Sequence, residues 1–211
     1  MKRGLIFDMD GTLWDSAENV AVSWNIAIEK NGYKRAELTT ADIQGVMGKT
    51  MDVIADILFG DLGLDERRDL LEECCRMEND YLREQGGVLY PKLVETLVVL
   101  KAQGWHLYIV SNCQAGYIEA FLDHYNMWDL FEDTECFGNN NLTKDKNIRL
   151  LADRNGLNIN NSYYVGDIQG DYDATMAAGL KFIHAAYGFG QVAADVIRIT
   201  SFEELSALDG L

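Results

Sequence analysis

Short apolar runs alternate with longer segments of helical periodicity along most of the chain. Apolar runs bounded by turn residues predict short buried strands at residues 2–7, 106–110, 134–137, 163–165, 182–185 and 196–199. Apolar positions at helical spacing predict helices at residues 92–102, 116–124, 145–155, 172–178 and 202–207. Because strands that alternate with helices favour right-handed crossovers, the pattern predicts an α/β fold with a mainly parallel, Rossmann-like sheet core.

Residues 16–86 interrupt this alternation, since their pattern contains helices and no convincing strand. Capping residues and helical periodicity predict four helices, at residues 16–31, 40–46, 51–59 and 65–85. We therefore predict an inserted all-helical cap domain over residues 16–86. The α/β core domain would then be formed by residues 1–15 and 87–211.

The charge of the chain restricts its partners. A formal net charge of −16 disfavours nucleic acid and anionic membranes. No apolar run reaches the length of about 18 residues that a transmembrane helix needs, and the apolar stretch before Asp8 is too short for a signal peptide. We therefore expect a cytoplasmic protein. An anionic substrate would need a cation, a lysine or helix N-termini close to it.

The cysteines and histidines indicate no zinc site. The four cysteines form no C-x-x-C pair and the three histidines lie far apart in the sequence. We expect reduced cysteines that serve mainly in packing.

Two carboxylates follow the first predicted strand. Asp8 and Asp10 stand two residues apart, with Gly11 directly behind them. The carboxyl end of a strand is where open α/β sheets bind ligands. Two acids there suit a hard metal ion, or a nucleophile with an acid–base partner. The alternative is an ordinary Asp-Gly turn.

Polar side chains also follow two later strands. Ser111 and Asn112 come after an apolar run and before a helix, where a hydroxyl, an amide and free backbone N–H groups can hold a phosphate. Asp167 follows another strand and Asp171 lies four residues later, a spacing that suits a cation ligand and a second carboxylate beside it. The alternative for each of these residues is helix capping or a turn.

A lysine between the last two of these strands is a further candidate. Lys144 enters a predicted helix and could neutralise a nucleophile and a phosphate, and Lys146 competes with it for this role. In the helical insert, Gly48 and Lys49 form a candidate loop for contact with the substrate, although an ordinary surface loop is equally compatible with the pattern. No strand precedes this loop, so we exclude a nucleotide-binding P-loop.

The order of these motifs resembles the haloacid dehalogenase superfamily. Asp-x-Asp-Gly-Thr is followed by Ser-Asn after a strand, then by lysine, then by Gly-Asp-x-x-x-Asp after another strand. The helical insert resembles the cap of that superfamily, and the chain looks most similar to its phosphoglycolate phosphatase-like and β-phosphoglucomutase-like branch. The departure is Asp145, which stands where the family usually has proline after the lysine.

The resemblance implies a role for each motif. Asp8 would take the phosphoryl group, and Asp10 would protonate the leaving alcohol and then activate water. Mg²⁺ would be held by the Asp8 carboxylate, the Asp10 backbone carbonyl and Asp167, with Asp171 in its outer shell. Phosphate would be held by Ser111, Asn112 and Lys144.

These roles imply a Mg²⁺-dependent phosphatase that acts on a small phosphorylated metabolite, phosphoglycolate-like or a sugar phosphate. The presence of Asp10 disfavours dehalogenase and phosphonate chemistry. A phosphomutase is the first alternative, although the first cap helix lacks the histidine found in β-phosphoglucomutase-like chains. A non-catalytic binding protein ranks lower, because Asp8, Asp10 and Asp167 are all present. We expect a monomer or a weak homodimer.

Overall fold

The computed structural model describes residues 2–208. Its strands are β1 (Gly4–Phe7), β2 (Trp14–Asp15), β3 (Val88–Leu89), β4 (His106–Ser111), β5 (Asp133–Cys136), β6 (Tyr163–Gly166), β7 (Lys181–Ala185) and β8 (Ile197–Ile199). Its α-helices are α1 (Ala17–Lys30), α2 (Thr40–Gln44), α3 (Met51–Leu58), α4 (Leu64–Gln85), α5 (Leu93–Ala102), α6 (Tyr117–Tyr125), α7 (Phe137–Asn140), α8 (Lys144–Arg154) and α9 (Gln169–Ala178). Short 3₁₀ helices are found at Trp128–Leu130, Ile159–Asn161 and Phe202–Ala207.

Six strands form one sheet in the order β5-β4-β1-β6-β7-β8, and every neighbouring pair is parallel. Phe7 at the end of β1 lies opposite Ile109 of β4 and Val165 of β6. Because these strands run in the same direction, the residues that follow them meet at one edge of the sheet. The expectation of an α/β fold with a mainly parallel sheet is confirmed.

The strands pack into two cores, one on each face of the sheet. On β1, Leu5 and Phe7 belong to one core and Ile6 to the other, because successive side chains of a strand point to opposite faces. Helices α5 and α6 cover the first face, and α8 and α9 cover the second. Burial on both faces explains why these strands are continuous apolar runs in the sequence.

Helices α1 to α4 follow one another with no strand between them. Trp24 of α1 stacks on Phe59 after α3, with ring centroids 5.7 Å apart. Helix α4 packs on α1 and also on α6 of the sheet-bearing part. Arg83 of α4 donates from Nε to the Asp123 carboxylate of α6 at 3.0 Å. The helical segment is therefore attached to the rest of the chain through α4 as well as through its two connections.

A two-stranded antiparallel ribbon flanks the helical segment. Trp14 of β2 pairs with Leu89 of β3. Trp14 is fully buried and meets Phe121 of α6 edge-on, with ring centroids 5.0 Å apart. The sequence pattern did not predict this ribbon, because two-residue strands are too short to show a period of two.

Other elements also differ from the sequence pattern: β1 begins at Gly4 instead of residue 2, and α2 ends at Gln44 instead of residue 46. Helix α9 begins at Gln169 instead of residue 172, because the Asp171 carboxylate accepts the backbone N–H of Ile168 and closes the first turn earlier. Phe137 begins α7 instead of ending β5, and Phe202–Ala207 is a 3₁₀ helix. Among residues 2–208, no helix is long and apolar enough to cross a membrane.

Candidate active site

The carboxyl end of β1 holds a buried ion-pair cluster. Asp8 directly follows β1, and Lys144 is the first residue of α8. The Lys144 ammonium donates to Asp8 Oδ1 at 2.9 Å and to Asp171 Oδ1 at 2.6 Å, and all three side chains are at most 5% exposed. Lys146, the competing lysine, is exposed to solvent. Of the two candidates, Lys144 is the one that the fold brings to Asp8.

The loop after β6 completes this cluster. Asp171 uses its second oxygen, Oδ2, to accept the backbone N–H groups of Asp167 at 3.1 Å and Ile168 at 3.3 Å. Asp167 Oδ2 accepts the Phe189 N–H at 2.7 Å. Gly11 has a positive φ of 80°, and a Cβ there would lie 2.1 Å from Asp167 Oδ2. The Asp-x-Asp-Gly turn and the Asp167 carboxylate can therefore be this close only because residue 11 is glycine.

Three buried carboxyl groups in this cluster face a single ammonium group. Burial raises the pKa of Asp8 to about 7, the charge of Asp171 adds to this, and Lys144 opposes it. Burial and the charges of Asp171 and Asp8 raise the pKa of Asp167 to about 8. Burial alone would lower the pKa of Lys144, but Asp171 and Asp8 raise it above its usual value. Further positive charge would stabilise the ionised carboxylates.

The donor set of this cluster fits a hard divalent cation. Carboxylate oxygens of Asp8, Asp167 and Asp171 lie within 4.8 Å of one another, and oxygen ligands are those that Mg²⁺ prefers. Asp171 already accepts hydrogen bonds from the Lys144 ammonium and from two backbone N–H groups. It is therefore better suited to hold the lysine and the loop than to ligate the cation directly.

Asp10 lies beside this cluster in a separate hydrogen-bond triangle. Its Oδ1 accepts from Ser16 Oγ and Tyr117 Oη, each at 2.7 Å, and these two hydroxyls lie 2.8 Å apart. When both hydroxyls donate to Asp10, no hydrogen remains for the contact between the two hydroxyl oxygens. If Asp10 is protonated it can donate to one hydroxyl, which can then donate to the other, so that all three contacts are filled. Burial raises the pKa of Asp10 to about 6, although the hydrogen bonds from Tyr117 and Ser16 lower it. Asp10 is therefore placed to give and take a proton near neutral pH.

A small cavity connects these groups with the helical segment. Its volume is about 40 Å³, which is room for only a few water molecules. Asp8, Asp10 and Ser111 line the end formed by the sheet, and the predicted loop residues Gly48 and Lys49 line the opposite wall. Helices α1 to α4 thus close over the residues that follow β1 and β4.

Asn112 connects the two walls of the cavity. Its Nδ2 donates to the Gly48 carbonyl oxygen at 2.8 Å, and its Oδ1 is buried without a hydrogen-bond partner. The Gly48 carbonyl fixes this orientation of the amide, because the flipped form would set two oxygens against each other. Part of the Asn112 amide therefore holds the loop instead of facing a phosphate.

Four contributors to the site were missed by the sequence analysis: Ser16, Tyr117, Glu78 and the backbone of Phe189. Tyr117 and Phe189 carry no local signal, since each meets its aspartate only in the folded chain. Glu78 did have a local signal in the sequence. It stands four residues after Cys74 and four before Leu82, on the apolar side of α4, where a charged residue is unexpected.

A model of the family described as haloacid dehalogenase-like hydrolase matches residues 5–185. The chain belongs to this family. The phosphoglycolate phosphatase of Aliivibrio fischeri is 28% identical to this chain, over 88% of this chain and 84% of its own length. That of Rhodobacter capsulatus is 27% identical and covers 100% of this chain and 97% of its own.

Solved structures with the same fold include a haloacid dehalogenase-like hydrolase and a sugar-bisphosphate complex. One from Bacteroides fragilis superimposes with a TM-score of 0.82 at 25% identity, and covers 97% of this chain and 100% of its own. CbbY from Rhodobacter sphaeroides, in complex with xylulose-(1,5)bisphosphate, gives a TM-score of 0.80 at 18% identity over 97% of this chain and 96% of its own. The expectation of a phosphoric monoester hydrolase of this family, in its phosphoglycolate phosphatase-like branch, is confirmed.

Proposed function

We propose that the protein is a Mg²⁺-dependent phosphatase that hydrolyses a small phosphate monoester, phosphoglycolate-like or a sugar phosphate, through an aspartyl phosphate on Asp8. The observation that carries this proposal is the buried contact between Asp8 and the Lys144 ammonium, with Asp10 two residues away on the same turn. Phosphoryl transfer depends on in-line placement and on neutralised charge, and a carboxylate can approach a phosphate dianion only where cations offset their repulsion.

In the first step, an Asp8 carboxylate oxygen attacks phosphorus and the bond from phosphorus to the leaving oxygen breaks. Asp10 gives its proton to that oxygen, so the leaving group departs as an alcohol. In the second step, water attacks the phosphorus of the aspartyl phosphate and Asp10 takes the proton of the water. Inorganic phosphate leaves, and the Asp8 carboxylate and the Asp10 acid are restored.

Ser111 and Lys144 would hold the oxygens of the phosphoryl group. The Asp8 and Asp167 carboxylates and the Asp10 backbone carbonyl would hold Mg²⁺, with Asp171 in the outer shell. When bound, the cation would supply charge neutralisation at the phosphoryl oxygens. Asp171 would keep Lys144 turned towards Asp8 through its 2.6 Å contact with the ammonium.

The phosphomutase alternative is less favoured. A mutase must pass its phosphoryl group to a second hydroxyl of a sugar, and it needs a cap that positions that hydroxyl. Helix α1 contains no histidine, and its Val20 lines the cavity with an apolar side chain. A non-catalytic protein is disfavoured by the family and by the complete set of aspartates.

Removal of the divalent cation tests the proposal most directly. We expect purified protein to hydrolyse p-nitrophenyl phosphate with Mg²⁺ and to lose at least about 100-fold of this activity in excess EDTA, because Asp8 and Asp167 would then repel the phosphate. Added Mg²⁺ should restore the rate, which excludes irreversible unfolding by the chelator. Full activity in EDTA would contradict a metal-dependent mechanism.

Tyr117→Phe tests the role of Asp10 as an acid. The change removes one of the two hydroxyls that orient the Asp10 carboxyl. We expect kcat/KM for an alkyl phosphate to fall about tenfold, because an alkoxide leaving group needs the proton of Asp10. The kcat/KM for p-nitrophenyl phosphate should change little, since that phenolate leaves without a proton.

The matched control is Tyr172→Phe, because the Tyr172 ring packs against Phe182 and does not line the cavity. It should leave both kcat/KM values unchanged. Equal losses for alkyl and aryl substrates in Tyr117→Phe would show that Tyr117 does not act through Asp10.

A further inference from the structure

A carboxyl group lies buried in the wall that the helical segment contributes to the cavity. Glu78 of α4 is 4% exposed and lines the cavity together with Asp8 and Asp10. Its Oε2 accepts the Trp24 Nε1–H at 2.6 Å. The hydrogen-bond partners of this carboxyl, the Trp24 indole and the Gln114 amide, are both neutral, so no cation offsets its charge when it is ionised.

The rest of that wall is apolar. The cavity-lining side chains contributed by α1 to α3 and the loop between α2 and α3 include Val20, Trp24, Ile43, Val46, Met47 and Met51. Among the described residues around the cavity, the only cation besides the buried Lys144 cluster is Lys49, which is exposed to solvent. A leaving group that enters this space meets apolar surface, the Glu78 carboxyl and the unpartnered Asn112 Oδ1. The Gln114 amide also lines the cavity, but its N–H groups already serve Asn79 and Glu78 as donors.

We propose that the leaving group of the substrate carries a hydrogen-bond donor, a hydroxyl or an ammonium group, that binds Glu78, and that a carboxylate at that position is rejected. This inference rests on the proposed phosphatase function and narrows its substrate range. The substrate would be a phosphorylated polyol or amino alcohol, and phosphoglycolate would be a poor substrate.

Charge at the site supports this choice. Burial and the nearby Asp10 raise the pKa of Glu78 to about 8, although the Trp24 hydrogen bond opposes this. A substrate carboxylate beside Glu78 would raise that pKa further and would leave two buried acids to share one proton. A hydroxyl or ammonium donor would instead stabilise the ionised carboxylate. Lys49 is exposed to solvent whereas Glu78 is buried, so water weakens the interaction of a substrate carboxylate with Lys49 more than its interaction with Glu78.

Four phosphate esters of equal chain length test the inference: 2-hydroxyethyl phosphate, 2-aminoethyl phosphate, ethyl phosphate and phosphoglycolate. With wild-type protein and Mg²⁺ at pH 9, where most of Glu78 is ionised, we expect kcat/KM for the better of the two donor-bearing esters to exceed that for ethyl phosphate by at least about tenfold, and that for phosphoglycolate by about 100-fold. The faster of the hydroxyl and amino esters shows whether the donor is a hydroxyl or an ammonium group. Phosphoglycolate as the best of the four would overturn the inference.

Glu78→Gln is the decisive variant. The amide keeps an oxygen for the Trp24 N–H and removes the charge, so we expect the protein to fold and to melt no lower than wild type at pH 8. The ratio of kcat/KM for the donor-bearing ester to that for phosphoglycolate should fall at least about tenfold. An unchanged ratio would show that Glu78 only holds Trp24 through their hydrogen bond, and would overturn the inference.

The matched control is Glu72→Gln, which removes one charge from the exposed face of the same helix. It should leave all four kcat/KM values at wild-type level.

The proposed function and this inference fail in different ways. If p-nitrophenyl phosphate is hydrolysed and none of the four esters is, the inference about the leaving group is overturned alone. If p-nitrophenyl phosphate is not hydrolysed either, the phosphatase itself is overturned.

Discussion

Asp8→Asn is expected to lower the hydrolysis of p-nitrophenyl phosphate on the order of 10⁴-fold or more. The amide has almost the same shape as the carboxylate, and its oxygen can still accept the Lys144 ammonium. It cannot attack phosphorus as a carboxylate does, so no aspartyl phosphate can form. Steady-state rates with Mg²⁺ measure the loss, and acid quenching of wild-type protein with a ³²P-labelled ester should trap phosphate on Asp8.

The control for this prediction is Asp173→Asn. Asp173 is an exposed residue of α9 that accepts a hydrogen bond from the Gln169 side chain, and its substitution should leave the rate unchanged. Because Asp8→Asn removes one of three crowded carboxylates, the variant should unfold at the same temperature as wild type or at a higher one. Wild-type activity in Asp8→Asn would exclude Asp8 as the nucleophile.

Lys144→Met is expected to lower both activity and stability. The variant keeps the length of the side chain and removes the ammonium that Asp8 and Asp171 share. Loss of one partner from a buried ion pair destabilises proteins by about 3–5 kcal/mol, and we expect a decrease in the free energy of unfolding near the lower limit. We also expect kcat/KM to fall at least about 100-fold, because the phosphate and Asp8 would repel each other.

Urea unfolding and steady-state kinetics measure these two effects. The control is Lys146→Met, which makes the same change two residues away on the exposed side of α8. Lys146→Met should change the free energy of unfolding by no more than about 0.5 kcal/mol and kcat/KM by no more than about twofold. If Lys146→Met is the variant that loses activity, the assignment of the lysine to position 144 is wrong.

Most of the fold could be predicted from the sequence. Strands β1, β4 and β6 are continuous apolar runs because both faces of the sheet are covered, and such runs need no knowledge of their partners. The order of the strands in the sheet and the β2–β3 ribbon were not predictable. Strand order depends on packing between distant segments, and each strand of the ribbon is only two residues long.

The residues of the candidate site were predicted to different extents. The aspartates and Lys144 stand at the ends of predicted elements, and parallel strands bring such ends to one edge. The choice of Lys144 over Lys146 needed the structure, since the helix register decides which lysine turns inward. Tyr117 and Phe189 could not be predicted, because their contacts with Asp10 and Asp167 join segments far apart in the chain.

The sequence by itself determined the α/β class, the helical insert and the order of the motif residues, because these follow from local periodicity and from residue type. Only the tertiary structure decided how the charges are paired. It set one ammonium between Asp8 and Asp171, gave Asp10 two hydroxyl partners, and buried Glu78 in an apolar wall. Burial and the distance between charges fix the pKa of an acid, and both quantities arise only when distant segments pack together.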